Sequence, residues 1–367
     1  MPFDSFDRSR LIFKPLSERT DRVFIEHDHV PPDAAPKTLT PSQRVLVDEV
    51  VARLRSAREA DAARMLVFGA HTIKNGLAPV ITRLIESGWV THLATNGAGI
   101  IHDWEFAYQG HSSEHVAENV AKGEFGAWQE TGFYLNLALN LGAYQGLGYG
   151  EAVGKFVEEE GGEIPSVEAL LAEVQDTAAN DPAKAAAALD LVDIIRRLDL
   201  RAGWLDLPHR YKQFGLQAAA YRLGVPFTSH PMFGHDIIYL HPMNHGASIG
   251  RTAERDFLTF AQGVSNLENG VYLSIGSAVM SPMIFEKSLS MAQNLALQEG
   301  RRIENHYMFI VDLAESHWDW TQGEPPHDNP DYYLRYNKSF SRMGGTMRYL
   351  SCDNRDFLLS LARALGE

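Results

Sequence analysis

The sequence predicts an α/β fold built on an open parallel sheet with helices on both faces. Short β-branched or aromatic runs alternate with stretches of helical periodicity, the pattern of repeated strand–helix–strand units. Four of these segments carry small-residue turns: Val67-Phe68-Gly69-Ala70, Thr95-Asn96-Gly97-Ala98-Gly99, residues 226–236 and residues 273–280. Turns of this kind, at the carboxyl ends of parallel strands, are where such a sheet gathers a ligand. A polar, nucleotide-sized ligand and an enzymatic role are the expectation.

Residues 1–40 read as an irregular N-terminal arm, with Pro15, Pro31, Pro32 and Pro36 along it and Pro41 at its border. Residues 41–367 read as a single α/β domain carrying a helical insertion at about 104–215. A helix begins at Ser42, its apolar face running through Val47, Val50, Val51 and Leu54 at i, i+3, i+4 and i+7 spacing. Met65-Leu66-Val67-Phe68 is all apolar, as a strand covered on both faces should be. A helix over 76–87 and a strand over 90–94 follow. Residues 104–150 are rich in glycine and aromatics, and 151–200 in glutamate and alanine; both read as helical, with a surface turn at 176–182. The sheet resumes at Val225-Pro226-Phe227-Thr228, then at Ile237-Ile238-Tyr239-Leu240, 270–275 and 306–311. A last strand at 345–350 leads into a helix over 353–364.

Composition narrows the function. The chain has 367 residues, 45% hydrophobic and 22% charged, with a formal net charge of −14. That charge opposes a polyphosphate partner, and no basic cluster offsets it, so nucleic acid is not expected. A single cysteine, Cys352, excludes an internal disulfide framework and fits a reducing compartment. No apolar segment follows the N-terminus and no run reaches the roughly 18 apolar residues of a membrane helix. The expectation is a soluble cytoplasmic protein with neither a signal peptide nor a membrane partner.

Glycines in the turn after Ala94 free backbone N–H groups to face an anion, or simply make a tight strand-to-helix turn. Gly276-Ser277-Ala278 repeats that arrangement after Val271-Tyr272-Leu273-Ser274-Ile275. Neither turn has the GxGxxG spacing of a dinucleotide fingerprint or the GxSxG of a hydrolase elbow. His230, His235, Asp236 and His241 lie close in sequence, and imidazole with carboxylate is metal-ligand chemistry, although the spacing matches no compact zinc pattern. A metal-dependent hydrolase or lyase built on them is one alternative reading, and a non-catalytic nucleotide sensor another. The loop after the 306–311 strand gathers His317, Trp318, Asp319, Trp320, Glu324, His327, Asp328 and Asp331. Aromatics among carboxylates suit a cationic amine, or a loop packed on its own tryptophans. Beyond it, Lys338 lies between Tyr336 and Phe340, where it is either an ordinary surface lysine or, if desolvated by the aromatics, a nucleophile for imine chemistry.

Taken in order, Gly69-Ala-His-Thr-Ile-Lys-Asn-Gly76, Ala94-Thr-Asn-Gly-Ala-Gly-Ile-Ile-His-Asp103, Pro226-Phe-Thr-Ser-His-Pro with Asp236-Ile-Ile-Tyr-Leu-His241, Ile275-Gly-Ser-Ala-Val279, and Lys338 through Arg348-Tyr-Leu-Ser-Cys-Asp353 distantly resemble the deoxyhypusine synthase family, over roughly residues 60–365. The resemblance implies a Rossmann-like parallel sheet, a homotetramer and NAD at subunit interfaces. It also implies oxidation of a polyamine and transfer of its aminoalkyl group through an enzyme lysine. It places Asn75, Thr95, Asn96, Gly97, Asp236, Gly276, Ser277 and Asp353 on the cofactor side, and Lys338 at the imine-forming position. His317 is then a candidate proton shuttle, and Trp318, Asp319, Trp320, Glu324, Asp328 and Tyr336 the amine-binding set. Three stretches depart from the family. Its Glu-Phe-Asp-Gly-Ser-Asp-Ser-Gly reads Glu315-Ser-His-Trp-Asp-Trp-Thr-Gln322, its paired glutamates are Ile101 and His102, and its Lys-His pair is Ser281-Pro282. The expectation is an NAD-dependent amine-processing transferase related to deoxyhypusine synthase rather than that enzyme itself.

Overall fold

In the computed structural model, which describes residues 3–367, the strands are β1 Asp21–Phe24, β2 Arg64–Phe68, β3 His92–Thr95, β4 His111–Glu114, β5 Gly161–Ile164, β6 Gly203–Asp206, β7 Phe227–Ser229, β8 Val271–Ile275, β9 Tyr307–Asp312 and β10 Thr346–Ser351. The chain divides into two units. A sheet unit comprises Asp28–Gly99, Ala219–His230 and Asp256–Glu367; a helical unit comprises Met1–His27, Ile100–Ala218 and Pro231–Arg255.

The sheet unit holds six strands in the order β10-β9-β8-β2-β3-β7, every neighbouring pair parallel. Numbered within the sheet from the N-terminus, that order is 6-5-4-1-2-3. It is the doubly wound Rossmann-like order, with the winding reversing between β2 and β8. All residues of β2, β3 and β8 are buried, as a strand covered on both faces requires. Alternate side chains sort to the two faces. Met65, Val67, Tyr272, Met308 and Ile310 join Phe260, Phe285 and Phe340 in one core. On the other, the Phe309 ring stacks on Phe357 at 5.4 Å. Each large side chain so buried contributes about 1.5–3 kcal/mol.

The helix expected from Ser42 runs Pro41–Glu59. Thr40 and Gln43 form a capping box, Pro41 stands at the first helical position, and the buried stripe is Val47, Val50, Val51, Leu54 and Ala57. The helix expected over 353–364 is Asn354–Leu365, opened by Asp353, whose carboxylate accepts the Arg355 N–H.

The helical unit contains the helices Gln129–Gln145, Tyr149–Glu158, Val167–Thr177 and Pro182–Leu198. It also contains two antiparallel pairs, β1 with β4 and β5 with β6. Two local expectations change here. The N-terminal stretch read as irregular carries β1, which pairs with β4. The run Ile237–Leu240, read as a strand, is a 310 turn that buries Ile238 and Tyr239. A four-residue apolar run bears no periodicity that separates the two states. Among the described residues, no helix is long and apolar enough to cross a membrane.

Candidate functional site

The reversal of winding between β2 and β8 brings two turns against each other at the carboxyl edge of the sheet. Gly69 follows β2 and donates its N–H to the Ile275 carbonyl at 3.1 Å. A Cβ on Gly69 would fall inside contact distance of the Gly276 carbonyl oxygen. Gly276 follows β8 with φ +57°, a left-handed conformation that glycine adopts without strain. Two backbones touch here with no side chain between them, and the Gly69 and Gly276 N–H groups are taken up by the Ile275 and Val311 carbonyls at 3.1 and 2.9 Å. This is where a doubly wound sheet holds a dinucleotide, and the glycine pair fits that ligand's need for close backbone approach.

The other residues expected on the cofactor side are placed as follows. Ser277 accepts the Ser281 N–H through its hydroxyl at 3.1 Å and so satisfies one donor in the first turn of the helix Met280–Gln298. Asn96, at the end of β3, accepts the Gly99 N–H at 3.0 Å and remains half-buried. Gly97 is buried at the start of the helix Gly97–Gln109. Thr95 faces inward, its hydroxyl bonded to the Phe68 carbonyl at 2.9 Å; it fastens β3 to β2. Asn75 donates to Asn354 at 3.0 Å, and Arg355 donates to the Asn75 carbonyl at 3.0 Å, so the region after β2 is tied to the Asp353-capped helix. Asp236 belongs to the helical unit, where burial pushes its carboxyl up to about 6.

The loop between β9 and β10 is organised by Asp331. Its Oδ2 accepts the N–H groups of His317 at 2.8 Å and Trp318 at 2.7 Å, and the Ser316 hydroxyl at 3.2 Å. Trp320 is buried in the core with Nε1 on Ser316, and Trp318 packs against that core with Nε1 on the Gly323 carbonyl. Asp319 caps its own 310 turn, and hydrogen bonds from Thr321 and Gln322 hold it below the usual carboxylate range. Both tryptophans and Asp319 therefore fix the loop. His317 and Asp328 stay exposed. Tyr336 is buried, its hydroxyl 3.3 Å from that of Tyr349.

A compact cation site remains beside them. The Lys338 ammonium lies 3.6 Å from the centroid of the Tyr332 ring and 3.5 Å from Glu324 Oε1. Arg342 grips the other Glu324 oxygen at 2.5 and 2.8 Å. These hydrogen bonds, first among the causes, hold the Glu324 carboxyl below its ordinary range. The His327 ring stacks on Tyr332 at 4.1 Å. Sequence reasoning singled out Lys338 and Glu324 but missed Tyr332. The available signal was an aromatic six residues before the lysine, legible only once the loop turns back.

The histidine-rich stretch does not assemble into a metal site. His230, in the sheet unit, meets the Thr228 hydroxyl at 3.1 Å. His241, in the helical unit, accepts the Met243 N–H at 3.0 Å between the rings of Phe13 and Phe133. His235 is exposed. Among the described residues, no three His, Cys, Asp or Glu side chains converge on one point.

No family model and no curated protein matches the chain. Solved structures with a similar layout include ArgZ, an arginine dihydrolase from the ornithine–ammonia cycle in cyanobacteria, at 13% identity and a TM-score of 0.42, over 88% of this chain and 32% of that one. The ternary complex of AgrE with ornithine and NAD+ matches at 15% identity and TM-score 0.42, over 89% and 34%. A conserved putative LOR/SDH protein from Methanococcus maripaludis S2 matches at 12% identity and TM-score 0.41, over 92% and 73%. The chain thus spans about a third of the length of ArgZ and AgrE.

Proposed function

We propose that the protein is an NAD-dependent enzyme acting on an amine, with the cofactor on the glycine-lined edge between β2 and β8 and Lys338 as the covalent carrier. The contact of the Gly69 and Gly276 turns at the reversal of winding carries the reading. Gly69, Gly276, Ser277 and Asn96 would hold the cofactor, and bound NAD supplies a hydride acceptor. Glu324 and the Tyr332 face form the cation-binding wall. In the resting enzyme they hold the Lys338 ammonium itself.

An incoming substrate ammonium displaces Lys338 from that wall, because one carboxylate and one ring face serve either cation. The freed lysine, once deprotonated, adds to the electrophilic carbon of a substrate imine. The departing amine leaves with a proton, and the chain carries the alkylidene group as a lysine imine. A second amine reverses the exchange and restores Lys338, and the hydride given up in forming the first imine would return to the new one, so that an aminoalkyl group is transferred with no net oxidation. This sequence follows the resemblance to deoxyhypusine synthase, whose aminoalkyl transfer and four-subunit assembly remain part of the proposal.

Two measurements test it. A ligand that binds only the folded state raises the unfolding midpoint, so NAD should give a saturable rise in the wild type. No shift at millimolar NAD would remove the cofactor from the proposal. Lys338→Arg keeps the positive charge but cannot form an imine. Turnover is expected to vanish while the NAD shift persists, and wild-type turnover in that variant would end the covalent mechanism.

A further inference from the structure

On the face of the sheet unit that carries the first and last of its helices, a groove of about 410 Å3 opens between Pro41–Glu59 and Asn354–Leu365. Its polar lining is Lys37, Thr38, Arg44, Asp48, Ser360 and Arg363. Three cations against one carboxylate is the inverse of a chain whose formal charge is −14. The lining is also unsaturated. Asp356 accepts the Lys37 N–H at 3.2 Å and stands 3.8 Å from its ammonium, which places that lysine at the rim. Arg44 uses Nε on the Leu39 carbonyl at 3.1 Å, which fixes the guanidinium plane and leaves its terminal nitrogens without a carboxylate among the described residues. Arg363 likewise has no ion pair there. Leu39 and Val47 supply apolar wall beneath the charges.

We propose that this groove binds a small organic polyanion, a phosphate ester or a polycarboxylate, separately from the cofactor edge. Guanidinium groups pair with such oxygens in bidentate fashion, and the Thr38 and Ser360 hydroxyls supply donors to the remaining ones. The apolar wall takes the carbon skeleton, and the volume matches a metabolite rather than a polymer. Nothing in this inference depends on NAD or on Lys338, so the two readings stand or fall separately.

Calorimetric titration of the full chain with pyrophosphate, glycerol 3-phosphate and citrate tests the site at fixed ionic strength. At least one probe should bind saturably in the submillimolar range. Phosphate probes alone would identify a phosphate ester, and citrate alone a polycarboxylate. Arg363→Gln and Arg44→Gln should each weaken binding by roughly tenfold, the loss of one charge-assisted hydrogen-bond pair. Arg301→Gln, which removes an exposed guanidinium outside the groove, should leave it unchanged. Both groove arginines are exposed, so the variants keep the fold, and circular dichroism checks this. The proposal is overturned by the absence of saturable binding with any probe. It is also overturned by heat that added sodium chloride reproduces, or by affinity indifferent to both groove substitutions.

Discussion

Glu105 is 1% exposed, and its carboxylate takes Arg19 on both oxygens at 2.7 Å, Thr131 at 2.8 Å and Ser112 at 2.5 Å. Burial opposes its charge, yet the charge and hydrogen bonds of Arg19 outweigh burial and hold the carboxyl below its ordinary range. The network continues through Asp21 to His111 at 2.6 Å, and through Ser112 to His102 at 2.7 Å. Breaking one side of such a pair strands a buried charge, whereas removing both does not. Arg19→Met should therefore lower the unfolding free energy by about 3–5 kcal/mol, and Arg19→Met with Glu105→Leu should recover only part of that, because buried Asp21, which Arg19 also pairs at 2.7 Å, keeps only His111 and Gln109 as partners. Urea midpoints decide it; additive losses in the double variant would show that the two residues act independently. None of this network was legible in the sequence. Arg19 and Glu105 stand 86 residues apart, and His102 drew notice only where it replaces one of the family's paired glutamates. Charge pairing between distant segments leaves no periodic trace in either of them.

At the scale of elements, the sheet was largely legible because its strands are short apolar runs bounded by turns. Met65-Leu66-Val67-Phe68 and residues 270–275 became β2 and β8 within a residue of their expected bounds. The misses have physical causes. Strands β5 and β6 read Gly-Gly-Glu-Ile and Gly-Trp-Leu-Asp, too short and too rich in glycine to show alternation. Gly69 was quoted only as a turn, because its importance comes from Gly276, brought beside it by the strand order. Gly69→Ala tests that contact. The new methyl must push the β2 turn away from the Gly276 carbonyl, at about 1–3 kcal/mol of overpacking. The expected result is a folded protein with a lower midpoint and no NAD-induced rise. An unaltered rise would place the cofactor elsewhere. Gly300→Ala is the comparison: φ is +70° there and the Cβ meets open space, so it costs backbone strain of about 1 kcal/mol and should leave the NAD response intact.

At the scale of the molecule, the two units should answer acid differently. In the sheet unit, burial pushes His29 and His92 down to about 4 and His230 to about 3, with the neighbouring His92 adding to the effect on His230. His92 and His230 each meet the single Thr228 hydroxyl, at 3.2 and 3.1 Å, and nothing in that arrangement accepts a second positive charge. An unfolded histidine titrates near 6.5. As pH falls from there toward 4, the unfolded chain takes up protons that the fold refuses. The stabilisation from neutral imidazole is complete above about 6.5 and is lost at up to about 1.4 kcal/mol per pH unit for each group. The helical unit holds the opposing groups, since Asp103 and Asp236 are both raised by burial to about 6 and so favour the fold as they protonate. That unit also has His209 and His241 at about 4, which partly cancel the two carboxyls. The sheet unit should therefore weaken first between pH 6.5 and 4. Hydrogen exchange would show it as faster opening of β3 and β7 than of the helix Gln129–Gln145. His92→Gln combined with His230→Asn removes two of the refused protons and should flatten the pH dependence of the sheet unit by that amount. An unchanged slope in the double variant would assign the acid response to other groups, His29 first among them.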